Sequence, residues 1–325
     1  MFDAGTMSSS LQHTTKLPAV PPFDLRQSLR ALSGFAPCAG EQVIADGAVR
    51  KAFALPSAAG PAAEAIVVEV GPRGDGRAGV SLAVFGGRPL ADDELRWAER
   101  RVSDWLGLAD DMTGFLAVAA DDPALRPVLT EVAGLHQVRF ASLAEGACYF
   151  VLTQRTAQRV AGLRKRRLAA AHGPSLTVDG QRFVAFPAFA TLTGLGPDQL
   201  ARFTGNARQT DYLLAAIHAL AGADEQWLAT APYEQVRAEL RRIRGVGEFT
   251  AAAIMLRVLG RPDRLPIAMP QFADVAARLY GADTSIDAVA ERYGRYLGWW
   301  AYYAKTALAG LGVPTTHATR PHRAA

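Results

Sequence analysis

The hydrophobic period of this chain changes near residue 90, and that change limits what it can fold into. Between Phe23 and Gly87, short apolar runs of strand length follow one another: Gln42–Ala45, Ala48–Leu55, Ala65–Val70 and Val80–Phe85. Asp46-Gly47 is a two-residue hairpin signal between the first two, and Gly71-Pro72 with the Gly74–Gly79 stretch parts the last two. The pattern predicts an antiparallel sheet. Then Leu95, Val102 and Leu106 recur on one face of a helix predicted over 91–108, with Asp92 and Asp93 in its first turn, where carboxylates suit the helix dipole. Further helices are predicted over Leu143–His172, Pro187–Thr193, Pro197–Phe203, Gln209–Leu220, Pro232–Arg242, Glu248–Leu259, Gln271–Tyr280 and Ile286–Gly310, with one short strand excursion over Leu176–Phe186 around Asp179-Gly180. The fold class is therefore α+β. A disordered leader is expected over 1–21, a sheet domain with flanking helices over 22–112, a helical domain over 113–312 and a disordered tail over 313–325.

Half of the 325 residues are hydrophobic, enough for sizeable cores, yet the most apolar stretch, Thr250–Gly260, includes Arg257 and is too short to span a bilayer. The first twenty residues hold no apolar run of signal-peptide type. Cys38 and Cys148 alone cannot form a disulfide framework or a thiolate metal cluster, which favours the cytoplasm. The net charge of +4 is modest but uneven: Gly146–Val178 has no acidic residue and carries Arg155, Arg159, Arg164, Lys165, Arg166 and Arg167. Such a window can face phosphates or be a solvated helix face.

The sharpest local pattern is 240–251, Leu-Arg-Arg-Ile-Arg-Gly-Val-Gly-Glu-Phe-Thr-Ala, in which one helix ends, Gly245 and Gly247 turn the chain, and another helix begins. Glycine at these positions lets backbone amides and a helix N-terminus come close to a phosphate. With this hairpin the chain resembles the helix-hairpin-helix DNA glycosylases, and among them the 3-methyladenine DNA glycosylase II type. The resemblance extends to Leu143–Thr156, Phe186-Pro187, Asn206–Ala221 and Trp299–Ala304. The sheet region looks like that family's TATA-binding-protein-like domain, so the similarity runs over roughly residues 22–312.

The resemblance implies that Arg244, Gly245, Val246, Gly247 and Thr250 hold duplex phosphates. It also implies a structural sodium or potassium ion on the backbone carbonyls of Arg241, Ile243 and Val246, and no organic cofactor. Gln154, Arg155 and Thr156 match the loop that fills the gap left by an extruded nucleotide, with Arg155 at the wedge position. Phe249, Met269, Trp299 and Trp300 fall at or beside the base pocket. The partner is then double-stranded DNA with a damaged base, bound by a monomer, and the activity removal of alkylated purines.

One departure stands out. The family places a catalytic Asp shortly after the Leu-Pro that follows the hairpin, and here 265–272 reads Leu-Pro-Ile-Ala-Met-Pro-Gln-Phe, which puts Met269 there, or Ala268 in a register shifted by one. Asp274 is the candidate substitute, although five residues is more than one helical turn. Phe249 stands where the lyase branch has its lysine, and no Cys follows Cys148 to ligate an iron–sulfur cluster. A hydrolytic alkylbase glycosylase without its usual carboxylate and a noncatalytic lesion-binding protein on the same scaffold remain as readings, beside an unrelated interaction protein that would show no salt-dependent DNA affinity.

Overall fold

The computed structural model describes residues 9–56, 64–265 and 270–310. Its elements, in chain order, are β1 (Ser10–Pro18), α1 (Leu25–Ser33), β2 (Gln42–Ala45), β3 (Ala48–Ala54), β4 (Ala65–Pro72), β5 (Gly79–Gly86), α2 (Asp92–Leu106), α3 (Thr113–Ala120), α4 (Arg126–Glu131), α5 (Leu143–Leu152), α6 (Gln158–His172), β6 (Ser175–Val178), β7 (Gln181–Val184), α7 (Phe189–Leu192), α8 (Pro197–Ala201), α9 (Ala207–Ala221), α10 (Glu225–Thr230), α11 (Tyr233–Arg242), α12 (Glu248–Arg257), α13 (Pro270–Tyr280), α14 (Ile286–Tyr293) and α15 (Leu297–Gly310).

The sheet is antiparallel with strand order β1-β5-β4-β3-β2. Asp46 and Gly47 both take positive φ, the geometry a two-residue hairpin needs, and Asp179-Gly180 repeats it between β6 and β7. One sheet face meets α2, where Phe53 packs edge-on to Trp97 and Trp105. The other meets the β6–β7 hairpin through Ala52, Val67, Leu176, Val178 and Phe183. With both faces covered, β4 carries an almost unbroken apolar run.

Two sequence expectations fail for identifiable reasons. The leader expected over 1–21 contains β1, paired with β5 from Ser10 to Pro18. As an edge strand it leaves Leu11 exposed and intersperses Thr14, Thr15 and Lys16, so no apolar alternation marks it. The helix expected over Leu143–His172 is broken at 153–157, with no glycine or proline to announce the break. The cause lies in another element: the Gln209 side-chain amide donates to the carbonyls of Val151 and Leu152, at 3.3 and 3.2 Å, and satisfies the end of α5. The Ile286–Gly310 helix is likewise interrupted at Gly294, where φ is positive.

The chain divides into two compact units, residues 1–111 with 134–261 and residues 112–133 with 262–325. The first holds the sheet and the hairpin together. At its centre Lys165, fully buried on α6, donates to Glu145 of α5 at 2.5 Å and to Glu41 at 2.7 Å, with the Cys38 sulfur at 3.4 Å. Lys51 of β3 lies 3.8 Å from both carboxylates. Burial alone would strip the charge from Lys165, but the negative groups around it hold its pKa above the ordinary lysine value. Burial pushes the Cys38 thiol up to about 12, so it stays protonated. Cys38, Glu41 and Glu145 converge as metal ligands would, yet the two ammonium groups already supply the positive charge.

The second unit is built on aromatic packing. Phe115 of α3 touches Tyr293, Tyr296, Trp299 and Tyr303. Beside them the buried Asp122 accepts hydroxyls from Tyr293 at 2.6 Å and Tyr280 at 2.7 Å. Burial raises the pKa of that carboxyl, but the two hydroxyls, Arg292 and the Leu125 amide outweigh it and set it below the ordinary 3.8.

Two outcomes follow. Lys165→Met leaves two carboxylates buried with too little compensation and should cost about 3–5 kcal/mol in urea unfolding, with Glu145→Gln in the same chain restoring part of it. Because the folded-state pKa of Asp122 is depressed, its contribution is present at neutral pH and is lost as pH falls below the unfolded value of about 4. Asp122→Asn should therefore flatten the acid limb of the stability profile.

Candidate nucleic-acid interface

The hairpin is assembled from α11, α12 and the tyrosine beneath them. Helix α11 ends with Arg241 and Arg242 in its last turn, and Ile243 is extended. Gly245 then takes φ +88°, and any Cβ there would run into the ring of Tyr212 on α9. Both constraints demand glycine, and both come from the protein itself. Val246 is buried and its amide donates to the Ile243 carbonyl at 2.9 Å.

Gly247 differs. Its φ of −86° and ψ of −176° suit any residue, and among the described residues nothing lies within 4 Å of the position its Cβ would occupy. The backbone and its neighbours leave the missing side chain unexplained; an approaching ligand would explain it. Gly247 is also the N-cap of α12 and offers no side-chain cap, so the first amides of that helix, at Glu248, Phe249 and Thr250, point toward this open space as orphan donors. The Glu248 carboxylate would compete for these donors, but it is drawn aside by Arg237, at 2.8 Å to both its oxygens, and by Arg241 at 3.4 Å. Hydrogen bonds to Glu248 and Glu234 raise the Arg237 pKa.

The α5–α6 turn lies against this hairpin. Gln154 reaches across it, its amide nitrogen 2.7 Å from the Gly245 carbonyl and 3.4 Å from the Thr250 hydroxyl. Arg155 follows at φ +52°, exposed and without a partner among the described residues. Arg159, in the first turn of α6, is likewise exposed and unpaired among them. The Thr156 hydroxyl donates back to the Gln154 carbonyl. Nearby, Arg208 donates to the Tyr212 hydroxyl at 2.7 Å, and the exposed Arg244 sits 3.5 Å from Asp211.

The structure sorts the sequence candidates. Arg155, Arg244 and Gly247 are exposed, as is the uncapped start of α12. Thr250 and Gln154 are turned inward: Thr250 is buried and its hydroxyl accepts from the Gln154 amide, which leaves no hydroxyl free for a phosphate. Phe249 is partly exposed at 36% on α12. Trp299 and Trp300 belong to the other unit, and both are core residues rather than open stacking faces. Trp300 has no exposed surface and donates its indole N–H to Tyr280 at 2.9 Å, while Trp299 stacks on Tyr296. Asp274 is exposed on α13. Met269 and Ala268 lie outside the described residues.

Residue-type reasoning missed Gln209 and Tyr212. Gln209 is buried, ends α5, accepts from Arg164 at 3.1 Å and also reaches the Gln154 carbonyl at 3.4 Å. The available signal was an Asn206 cap with Gln209 at its third position, which reads as an ordinary helix start.

No family model matches the chain. A DNA-3-methyladenine glycosylase of Bacillus subtilis is 25% identical over 182 residues, covering 55% of this chain and 60% of that protein. A probable bifunctional transcriptional activator/DNA repair enzyme AlkA of Mycobacterium tuberculosis is 28% identical over 306 residues, covering 93% of this chain and 57% of that protein. The chain thus spans little more than half the length of these relatives. Among solved structures, the 3-methyladenine DNA glycosylase of Archaeoglobus fulgidus superposes with a TM-score of 0.72 at 19% identity, over 93% of this chain and all of that one. The Clostridium acetobutylicum 8-oxoguanine glycosylase/lyase bound to double-stranded DNA gives 0.65 at 16% identity, over 93% and 99%. The chain thus has the fold of the helix-hairpin-helix DNA glycosylases and resembles, in sequence, 3-methyladenine DNA glycosylases of the AlkA type.

Proposed function

We propose that the chain binds duplex DNA at a damaged base as a monomer, extrudes that base, and hydrolyses its N-glycosidic bond, with alkylated purines as substrates. The observation that carries this reading is the uncapped start of α12, open at Gly247, beside the unpaired Arg155 at the tip of the α5–α6 turn. The relatives' names point the same way.

On this reading the α12 amides and Arg244 grip the backbone next to the lesion. A sodium or potassium ion on the carbonyls of Arg241, Ile243 and Val246 would add positive charge under that phosphate; neutral oxygens suit such an ion, and Ile243 keeps a lone pair after accepting from Val246. Extrusion costs a few kcal/mol, least for damaged pairs. Arg155 fills the vacated stack, where a guanidinium can lie against bases. Phe249 presents a partly open ring whose face favours a cationic alkylpurine.

Bond cleavage builds positive charge on the sugar as the base leaves with the bonding electrons, and water completes the hydrolysis. The family's carboxylate would stabilise that charge, and Met269 cannot. Loss of one such group typically costs about a hundredfold to a thousandfold in rate, which a cationic methylpurine, already a good leaving group, tolerates best. Met269 equally favours a second reading, a lesion-binding protein that does not cut.

Single-turnover release of 3-methyladenine and 7-methylguanine from methylated duplex, with a binding titration on the same DNA, separates the two. Release above the spontaneous rate establishes the enzyme, and salt-dependent binding without release establishes the binder. Met269→Asp should raise release if the rest of the pocket is competent; unchanged release would place the divergence elsewhere. The two glycines should behave differently. Gly247→Ala should lower the Tm by at most a few degrees and weaken binding to all duplex sequences alike, because the contact it blocks is to the backbone. Gly245→Ala should lower the Tm. A Gly247→Ala chain with wild-type affinity would remove the hairpin from the DNA interface.

A further inference from the structure

Gln154 sits where the loop resemblance would have it touch DNA, yet its side chain is turned into the protein. Both hydrogens of its amide are directed at the hairpin, one to the Gly245 carbonyl at 2.7 Å and the other toward the Thr250 hydroxyl at 3.4 Å. Its own carbonyl is held by the Thr156 hydroxyl at 3.1 Å and the Gln209 amide at 3.4 Å. The residue immediately before Arg155 is therefore fixed at main chain and side chain alike.

We infer that Gln154 is a positioning residue that makes phosphate engagement at the hairpin and insertion of the Arg155 tip a single event; the inference rests on the duplex-DNA reading above. A left-handed conformation at a residue with a side chain costs about 1–2 kcal/mol and persists only where its surroundings impose it. Arg155 has no partner of its own among the described residues, so the restraint comes through its neighbours, and Gln154 is the one bonded to the hairpin. At the other end of the link, Gly245 is held by the Tyr212 ring beneath it, and Thr250 lies in the first turn of α12 with the amides that face the open space. A phosphate drawn onto those amides settles the Gly245 carbonyl, and the Gln154 amide carries that placement to Arg155 through one hydrogen bond. Without the bond the hairpin still grips the backbone, but the tip is no longer aimed.

The test uses the full chain and a duplex carrying a tetrahydrofuran abasic-site analogue beside 2-aminopurine. Affinity is read by anisotropy, and insertion by the 2-aminopurine fluorescence rise at saturating protein. Gln154→Met keeps length and volume but has no N–H; Gln154→Glu keeps the shape, replaces the donor by an acceptor, and stands in if the Met chain does not fold. Either variant should keep the wild-type Tm within a few degrees and bind with at most a modest loss. Its fluorescence rise per bound complex should fall to that of Arg155→Ala. Gln154→Met combined with Arg155→Ala should fall no further, because the two act through one step. A loss of fluorescence without a matching loss of affinity is what a purely structural role would not give. Wild-type amplitude in the Gln154 variants, or additive losses in the double variant, overturns the inference while leaving the DNA reading intact. A wild-type chain without salt-dependent binding overturns the DNA reading and this inference with it.

Discussion

The first unit depends on a charge that water cannot reach. Lys165 is enclosed, and its ammonium joins α6 to Glu145 of α5 and to Glu41 ahead of β2, with Lys51 of β3 completing the balance. Two stretches far apart in the chain, 41–51 and 145–165, are pinned at one point. Geometry is strict there, because a buried ion pair is worth little unless every lone pair and proton is matched. The consequence reaches the interface: α5 and α6 are clamped near their middles and starts by this network, so the turn between them emerges at a defined place. Gln209 then ends α5, and Gln154 ties the turn to the hairpin. The outward side chains of this surface rest on a hydrogen-bonded polar interior.

The hairpin shows two glycines that differ in what constrains them. Gly245 serves the fold, since both its dihedral and the Tyr212 ring exclude a side chain. Gly247 is under no such constraint, since nothing among the described residues forbids a side chain there. Among the outward-facing groups, the Glu248 carboxylate is taken up by two arginines, which keeps the α12 amides electrostatically inviting to an anion. What the candidate interface presents is mostly backbone and arginine, chemistry suited to duplex phosphates rather than to base edges.

How far this was legible in the sequence depends on whether a feature is local. The β2–β3 hairpin, the β6–β7 excursion and the 240–251 turn were readable because each carries its cause within a few residues, in Asp46-Gly47, Asp179-Gly180 and Gly245 through Gly247. The α5–α6 break was hidden from periodicity because its cause, the Gln209 amide, lies more than fifty residues away; only the family resemblance placed a loop there. Edge strand β1 was missed because an edge needs no apolar alternation. The burial of Trp299 and Trp300 was not readable, because aromatic residues at helical spacing look alike whether they line a pocket or fill a core. The inward turn of Gln154 and Thr250 was illegible for the same reason: residue type states what a group can bond, and only the fold states with what.

The second unit is made from two stretches that the ribosome would deliver far apart. Asp122 and Tyr293, hydrogen-bonded in the folded chain, are separated by 171 residues. At ordinary elongation speeds the α3–α4 stretch emerges about ten to thirty seconds before the aromatic helices that cover Phe115 and Val128. During that interval the nascent chain carries Phe115 and Val128 before α14 and α15, which pack against them, have been made. A chaperone-depleted extract should therefore trap this protein at lengths short of α14, through a delay written into the order of its segments.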